Sequence, residues 1–228
     1  MNHQLDNPVW NALITGNKNL VMGNDFVKFY PEDVLQFASL KVNTPENFHR
    51  LHNLFLDTQS NVILETTEEA IDPAPWKLNH TSPFLQMVFE KDLPYDGTSQ
   101  FPIRQLGNKD IHLIQELVGL THPGPFAQNT IALGHYEGIF DGERLVAMAG
   151  QRMHAAPYAE ISAVCTHPEY LGRGYARQLI RNQIQRIRKS GEIPFLHVSA
   201  TNTRALSIYE NMGFVVRRQM YVHFLEYS

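Results

Sequence analysis

The sequence predicts a mixed α/β protein, and three local patterns carry this prediction. Residues 160–166 combine β-branched and small apolar side chains without a breaker, which indicates a mostly buried strand. Two glycines follow, and apolar residues then recur at the helical period up to Ile187, which indicates an amphipathic helix. Asp141-Gly142, between two apolar runs, is typical of a β-hairpin turn. Strands, a hairpin and a strand-turn-helix connection together define this class.

The turn between that strand and that helix has the features of a phosphate site. The first turn of a helix carries unpaired N–H groups and the positive end of the peptide dipoles, which attract a phosphate. Gly172 and Gly174 would let such a ligand approach the backbone, and Arg173 between them offers a charge-assisted hydrogen bond. The alternative is a tight connection in which the glycines serve only to adopt positive φ.

Two separated motifs resemble one protein family. The first reads Val164-Cys-Thr-His-Pro-Glu-Tyr-Leu-Gly-Arg-Gly-Tyr-Ala176 and opens the long helix. The second follows a short strand and Asn202, and reads Ala205-x-x-x-Tyr-Glu-x-x-Gly-Phe214. In this order they resemble the core of the GCN5-related N-acetyltransferase (GNAT) superfamily, and the first resembles its FR47-like branch. The resemblance covers about residues 101–228.

The resemblance implies the GNAT fold, a central, mostly antiparallel mixed sheet flanked by helices, with acetyl-CoA or another acyl-CoA as co-substrate. It places the pyrophosphate on the amides of the glycine turn and the pantetheine arm beside the preceding strand. Leu171 departs from the Arg or Gln that the family usually has, which removes one side-chain bond to phosphate. The implied cofactor-binding residues are Val164, Cys165, Thr166, Leu171, Gly172, Arg173, Gly174, Tyr175, Ala176, Asn202 and Tyr209.

Amine attack on a thioester needs an oxyanion donor, a base for the amine and an acid for the departing thiolate. The resemblance implies that Tyr209 is the acid and that an amide near Val164, at a bulge of the strand, faces the thioester oxygen. Glu160 stands where many members place a carboxylate base, and on an unbulged strand it shares a face with Val164. A core tyrosine and a solvated strand-end glutamate are the alternatives for Tyr209 and Glu160, and His154 and His197 are weaker candidates for the base.

The resemblance also implies that the Pro-rich segment around residues 121–130 shapes the acceptor pocket. His122, Phe126 and Gln128 are therefore predicted to contact the acceptor, with a plain surface loop as the alternative. Cys165 and His167 share a strand face, which raises a thiol hydrolase as a rival, although a thiol inside an apolar strand is more often inert.

The predicted function is acyl-CoA-dependent N-acyl transfer, most simply of acetyl to a primary amine on a small molecule or peptide. Direct attack in a ternary complex is favoured, because no activated nucleophile stands out. Two alternatives stay open. One is an enzyme similar to glycine acyltransferases that uses a longer acyl-CoA, and the other is a CoA-binding module without turnover. A nicotinamide site is disfavoured because Arg177 stands where a third glycine is expected.

The N-terminal part is predicted to be a small α/β unit, residues 1–95, that precedes a catalytic domain at residues 96–228. Helices are predicted after Asn7-Pro8 and Thr44-Pro45, with strands at residues 62–65 and 84–90. The turn-rich residues 93–100 are the predicted linker. FR47-like members often carry a decayed GNAT-like N-terminal half, and the element order here is similar, although no internal sequence repeat stands out.

The second unit is predicted to begin with a strand at residues 102–106 and a helix from Asn108 to Gly119. After Gly213, residues 214–217 and 220–225 are predicted as two closing strands, which in the resembled family form an antiparallel ribbon.

Composition narrows the partners. The net charge of -4 gives no electrostatic case for nucleic acid, and no apolar run approaches a membrane span. One cysteine excludes an internal disulfide and, with a start unlike a signal peptide, favours the cytoplasm. His49 and His52 are three apart without a third ligand nearby, so no metal site is predicted.

Overall fold

The computed structural model describes residues 3–90 and 100–228. Within these ranges the α-helices are α1 Pro8–Ile14, α2 Pro45–Leu54, α3 Ile111–Thr121, α4 Tyr175–Lys189 and α5 Thr203–Met212. The strands are β1 Met22–Gly23, β2 Val27–Phe29, β3 Phe37–Leu40, β4 Val62–Thr66, β5 Lys77–Phe89, β6 Arg104–Gln105, β7 Glu137–Asp141, β8 Arg144–Gln151, β9 Tyr158–Thr166, β10 Ile193–Ser199 and β11 Phe214–Glu226.

All of these strands join one sheet in the order β1-β2-β3-β4-β11-β5-β10-β9-β8-β7-β6. The neighbours pair antiparallel except for β3 with β4 and β9 with β10, which are parallel. Each parallel pair is connected through a helix, α2 in the first case and α4 in the second. The predicted class, a mostly antiparallel mixed sheet with flanking helices, is confirmed.

The two halves of the sheet repeat the same pairing pattern. Strands β1 to β4 pair in the same order and directions as β7 to β10, with one crossover helix at the corresponding place. The two halves share the order and direction of their strands but differ in their side chains. The repeat is therefore not visible in the sequence.

The last strand of each half crosses into the other half. Strand β5 pairs with β10, and β11 pairs with β4, while β5 and β11 pair with each other along their length. The centre of the sheet is therefore built from both halves. The predicted boundary between the units and most of the predicted linker, residues 93–100, fall within residues 91–99, outside the described residues, so the division at residue 95 stays a prediction.

Local sequence signals explain most element boundaries. The Asn7 side chain accepts a hydrogen bond from the backbone of Trp10 (3.3 Å) and caps α1, and Thr44 accepts one from Asn47 (3.3 Å) and caps α2. Both helices have proline in the first position. Asp141 and Arg144 pair at the hairpin between β7 and β8, as Asp141-Gly142 predicts.

Two element predictions are wrong. The segment after Gly213 is one long strand, β11, and the predicted antiparallel ribbon does not form, because the partner of β11 is β5. The register of β11 shifts at Arg217, which is the irregularity between the two predicted strands. The helix predicted to end at Gly119 continues to Thr121 and ends where His122 adopts a left-handed conformation, φ 46°.

The two faces of the sheet bury different cores. Helices α4 and α5 pack over Met87, Ile161 and Phe214 on one face. The opposite face holds α1 over Phe195, with α3 over Met148 further along the sheet. The start of α4 and the whole of α5 thus lie on one side of β9 and β10, which positions the site described next.

Candidate functional site

Strands β9 and β10 pair only at their beginnings. Residues 158–160 pair with residues 193–195, and beyond Glu160 the two parallel strands share no ladder. In β9 an extra residue lies between Ser162 and Cys165 relative to β8, and Ala163 there adopts φ 52°. Such a bulge bends its strand away from the regular ladder. A wedge therefore opens in the sheet beside Val164.

The start of α4 faces this wedge and is open. Gly172 and Gly174 adopt φ of 80° and 86°, and a Cβ built on either would meet nothing within 4 Å. The turn therefore requires glycine for its backbone conformation, and the space next to it is free for a ligand. The first N–H groups of α4 have no side-chain cap, since the capping position is Gly174 itself.

The wedge and the helix start form one groove of about 880 Å³. It is lined by all the predicted cofactor-binding residues except Arg173, namely Val164, Cys165, Thr166, Leu171, Gly172, Gly174, Tyr175, Ala176, Asn202 and Tyr209. The guanidinium of Arg173 instead lies over the Tyr170 ring, 4.6 Å from its centre. The structure thus brings together residues from β9, the glycine turn, α4 and α5.

Several groove residues were not predicted. They are Gln100, Ile103, Tyr170, Arg177, Gln178, Ile180, Arg181, Asn182, Gln185, Arg204, Ala205 and Ile208. Arg177 and Arg181 lie on the polar side of the amphipathic helix, so helical periodicity alone predicts that both face solvent. They line the groove because α5 forms its other wall. The position of α5 relative to α4 cannot be predicted from a local sequence pattern.

Helix α5 forms the second wall. The Asn202 side chain accepts a hydrogen bond from the backbone of Ala205 (3.1 Å) and so caps the helix. Tyr209 packs edge-on against Phe214, with ring centres 6.0 Å apart, and still lines the groove. Burial raises the pKa of Tyr209 to about 12, so its hydroxyl keeps its proton at any physiological pH.

Cys165 lines the groove, but its surroundings do not activate it. Burial raises the pKa of the thiol to about 11, so the reactive thiolate is scarce at neutral pH. His167 does not pair with it. The Nδ1 of His167 accepts a hydrogen bond from the backbone of Glu169 (3.2 Å), and its Nε2 lies 2.6 Å from Arg144. These contacts argue against the rival thiol hydrolase.

Glu160 lies outside the groove, in a buried charge cluster. Both carboxylate oxygens bond the Arg152 guanidinium (2.6 and 2.8 Å), and one also bonds His197 Nδ1 (2.8 Å). Burial alone would raise the pKa of Glu160, but Arg152 and His197 outweigh it and hold that pKa well below its ordinary value. The bulge also places Val164 on the face of Ile161, opposite Glu160.

The surroundings of Glu160 therefore argue against its predicted role as a general base, and equally against a solvated strand-end residue, since it is 1% exposed. His197 is occupied in the same way. Its Nε2 lies 2.6 Å from Glu65, so it stands between two buried carboxylates. The other weak candidate for the base, His154, contacts Glu192 (3.2 Å).

None of the predicted acceptor residues lines the groove. His122 is exposed at the end of α3, and Gln128 is exposed in the following loop. Phe126 packs edge-on against buried Tyr136, with ring centres 5.7 Å apart. The loop is fixed to the N-terminal half, because Asn129 bonds Asp33 (2.7 Å). Contact of these residues with an acceptor stays a prediction.

Comparison with known proteins identifies the class. Residues 136–222 match the family model described as FR47-like protein. The solved structure of a putative acetyltransferase from the GNAT family, from Novosphingobium aromaticivorans, is 34% identical, with a TM-score of 0.90 and coverage of 100% of both chains. The chain therefore belongs to the GNAT family, in its FR47-like branch.

Curated relatives match over shorter stretches. The mycothiol acetyltransferase of Corynebacterium glutamicum is 33% identical over 86 residues, and the N-alpha-acetyltransferase RimI of Mycobacterium tuberculosis is 34% identical over 93 residues. These stretches cover 37% and 38% of this chain, but only 30% and 58% of the relatives. A GNAT structure from Kribbella flavida, 14% identical with a TM-score of 0.66, shares the fold across 95% of the chain.

Among the described residues, no helix has the length and apolarity that a membrane crossing requires. No group of three or more His, Cys, Asp or Glu side chains suited to a metal ion occurs in residues 3–90 and 100–228. His52 instead stacks on Tyr227, with ring centres 4.2 Å apart.

Proposed function

We propose that this protein is an N-acetyltransferase that transfers acetyl from acetyl-CoA to a primary amine. The observation that carries the proposal is the groove itself, in which an uncapped helix start with two positive-φ glycines meets a wedge between parallel strands. A nucleotide diphosphate fits the first feature, and an extended thioester arm fits the second.

The pyrophosphate is assigned to the backbone amides of residues 171–176. The N–H groups and the dipole of α4 supply the attraction, so the loss of a side-chain donor at Leu171 matters little. The pantetheine arm then runs along β9, where backbone groups beyond Glu160 share no ladder with β10 and so are free on that side.

The acyl group lies at the bulge. Because the bulge turns the backbone out of the regular ladder near Ala163, the amide of Val164 is the proposed donor to the thioester oxygen as negative charge develops. The amine attacks the carbonyl carbon, the tetrahedral intermediate collapses, and the carbon–sulfur bond breaks to leave the CoA thiolate. Transfer is direct, since the Cys165 thiol has a raised pKa.

Tyr209 is the proposed donor to the departing sulfur. With its pKa at about 12, complete proton transfer to a thiolate of pKa ~8.5 would cost roughly 5 kcal/mol. The proposed role of Tyr209 is therefore to donate a hydrogen bond to the sulfur as negative charge develops on it, without complete proton transfer. The amine enters as its neutral form, and the proton that its nitrogen loses as the amide forms passes through water to the departing thiolate. No buried carboxylate is assigned as the base.

The acceptor is proposed only at the level of class. The matched relatives are named mycothiol acetyltransferase and N-alpha-acetyltransferase, so a small-molecule or protein amine is the proposed acceptor here. The free thiol of Cys165 is compatible with a reducing compartment, and we place the enzyme in the cytoplasm.

The proposal is tested with the full chain and two assays. Calorimetric titration with CoA and acetyl-CoA measures binding, and release of free thiol from acetyl-CoA in the presence of an amine panel measures transfer. Binding together with amine-dependent thiol release supports the proposal. Binding without release for any amine favours the non-catalytic module, and release only from longer acyl-CoA donors favours the glycine acyltransferase-like alternative.

Gly174→Val is expected to weaken CoA binding by at least 10-fold. A β-branched side chain at φ 86° is strained, and its methyl groups would occupy the space assigned to the diphosphate. Gly191→Val is the matched control, because Gly191 also has positive φ (78°) and open surroundings, but lies beyond the other end of α4. Equal CoA affinity in both variants would place the phosphates elsewhere.

Tyr209→Phe is expected to lower kcat about 10- to 100-fold while changing the CoA dissociation constant less than 3-fold. The ring still packs on Phe214, so the change removes only the hydroxyl that meets the sulfur. The measurement uses a saturating amine and pre-steady-state acetyl transfer, so that product release does not mask chemistry. Unchanged single-turnover rates would make Tyr209 a packing residue.

A further inference from the structure

A hydrogen bond between side chains lies where the backbone ladder between β9 and β10 ends. The last paired residues of the two strands are Glu160 and Phe195. His197 follows two residues later in β10 and therefore shares a face of that strand with Phe195. The Nδ1 of His197 donates to the Glu160 carboxylate (2.8 Å). Side chains thus join the two strands just past their last backbone pairing, at the apex of the wedge.

Both members of this pair are held from outside the wedge. Arg152, just after β8, bonds both carboxylate oxygens of Glu160 (2.6 and 2.8 Å). On the other side, the Nε2 of His197 lies 2.6 Å from Glu65 of β4. The side chains of Glu65, Glu160 and His197 are buried, and buried polar networks rigidify the structure around them. The apex is therefore fixed between the end of β8 and a strand of the N-terminal half.

Stability alone does not account for this cluster. Replacing a buried ionic cluster by apolar side chains of similar volume is often neutral or stabilising. Neither Glu160 nor His197 lines the groove, so contact with the co-substrate does not account for them either. The pair does lie at the place where β9 leaves β10. Val164, whose amide is the proposed donor to the thioester oxygen, stands four residues beyond Glu160 and just past the bulge.

We infer that the hydrogen bond between Glu160 and His197 positions the amide of Val164, because it fixes the point at which β9 separates from β10. This inference rests on the proposed function. A donor to a developing oxyanion must lie about 2.7–3.1 Å from the oxygen, and a displacement of about 1 Å can cost roughly 100-fold in rate. Glu160 and His197 are then positioning residues, and the N-terminal half supports the site through Glu65.

Two variants of His197 separate positioning from stability. In His197→Asn the side-chain amide nitrogen takes the place of Nδ1 and can still donate to Glu160, whereas in His197→Gln it takes the place of Nε2 and reaches toward Glu65. Both variants lose the same charge. With the full chain and saturating acetyl-CoA, which also stabilises the folded state, His197→Gln is expected to lower the single-turnover rate at least 10-fold and His197→Asn less than 3-fold. The acetyl-CoA dissociation constant is expected to change less than 3-fold in both.

An infrared measurement reports the amide contact itself. Isotope-edited difference spectra of bound acetyl-CoA, labelled at the thioester carbonyl, give the carbonyl stretching frequency, which a hydrogen bond to the oxygen lowers. The wild type and His197→Asn are expected to show the lowered frequency, and His197→Gln a frequency closer to that of free acetyl-CoA. Glu160→Asp is a second test that keeps both charges and withdraws the carboxylate from His197 by one methylene. It should lower the rate and weaken the frequency shift, whereas loss of a general base would lower the rate only.

The outcomes separate this inference from the proposed function. Equal rates and equal frequencies in His197→Gln and His197→Asn overturn the inference, because the Nδ1 contact would then have no effect of its own. If His197→Gln does not bind acetyl-CoA, Glu160→Asp decides, and a wild-type frequency in that variant overturns the inference. Failure of the wild type to bind acetyl-CoA refutes the proposed function. Binding by the wild type without a lowered frequency refutes the Val164 amide as the donor.

Discussion

A fragment of residues 100–228 is expected not to fold, although it contains every groove residue. Strand β5 lies outside this fragment and fills the sheet between β10 and β11. Its loss would remove the buried side chains Met87 and Phe89 and leave β10 paired only with β9. Strand β11 would have no partner, because β4 also lies outside the fragment. Each such buried side chain contributes about 1.5–3 kcal/mol, and the lost ladder adds to this, against a typical total of about 5–15 kcal/mol.

Circular dichroism and thermal melting of the fragment are the direct measurements. The control is the same fragment co-expressed with residues 1–90, because a break within residues 91–99 leaves every described strand present. The pair is expected to co-purify, melt cooperatively and bind CoA. A monomeric 100–228 fragment with a cooperative melt would show that the second unit is independent of β5, as the simple division of the chain into 1–95 and 96–228 suggests.

The cofactor groove could be predicted from the sequence because its determinants are local. A buried strand, two glycines and an amphipathic helix are adjacent in the chain, and their geometry follows from backbone preferences at Gly172 and Gly174. The resemblance added the second wall through Asn202 and Tyr209. Both then lined the same groove as the glycines.

The exchange of β5 and β11 could not be predicted in this way. Both segments have ordinary strand patterns. Nothing in residues 214–226 indicates whether this segment pairs within itself as a ribbon or with a strand more than 120 residues earlier in the chain. Pairing of this kind is decided by the whole sheet. The family expectation of a local ribbon was therefore the reasonable prediction, and it was wrong.

The role of Glu160 illustrates a second limit. Whether its side chain shares a face with Val164 depends on one inserted residue at Ala163. Its charge state depends on Arg152, eight residues earlier, and on His197, which belongs to another strand. Spacing along β9 reports neither. The position of Glu160 in the sequence suggests a base, whereas in the structure its carboxylate belongs to a buried ionic cluster. This cluster also includes Glu65 from the N-terminal half.

That cluster makes His197→Gln the point substitution with the largest expected effect on stability. His197 bridges Glu160 (2.8 Å) and Glu65 (2.6 Å), and all three side chains are at most 5% exposed. The variant keeps Arg152 in its ion pair with Glu160 but leaves Glu65 with no ion-pair partner among the described residues. Breaking a buried ion pair on one side typically costs about 3–5 kcal/mol, and we expect a loss of that size near pH 6.

The loss should depend on pH in a defined direction. Burial alone would lower the pKa of His197, but Glu65 and Glu160 raise it to about 9 in the folded protein. A raised folded pKa stabilises the protein fully below the unfolded value of ~6.5, and this stabilisation is lost as pH rises to 9. The gap in unfolding free energy between wild type and His197→Gln should therefore narrow steadily from pH 6.5 to 9.

Urea unfolding at pH 6, 7, 8 and 9, with m-values compared, measures this gap. His112→Gln, at an exposed position of α3, is the matched control and should follow the wild type at each pH. A gap that stays constant from pH 6 to 9 would mean that His197 carries no proton beyond its ordinary range in the folded state.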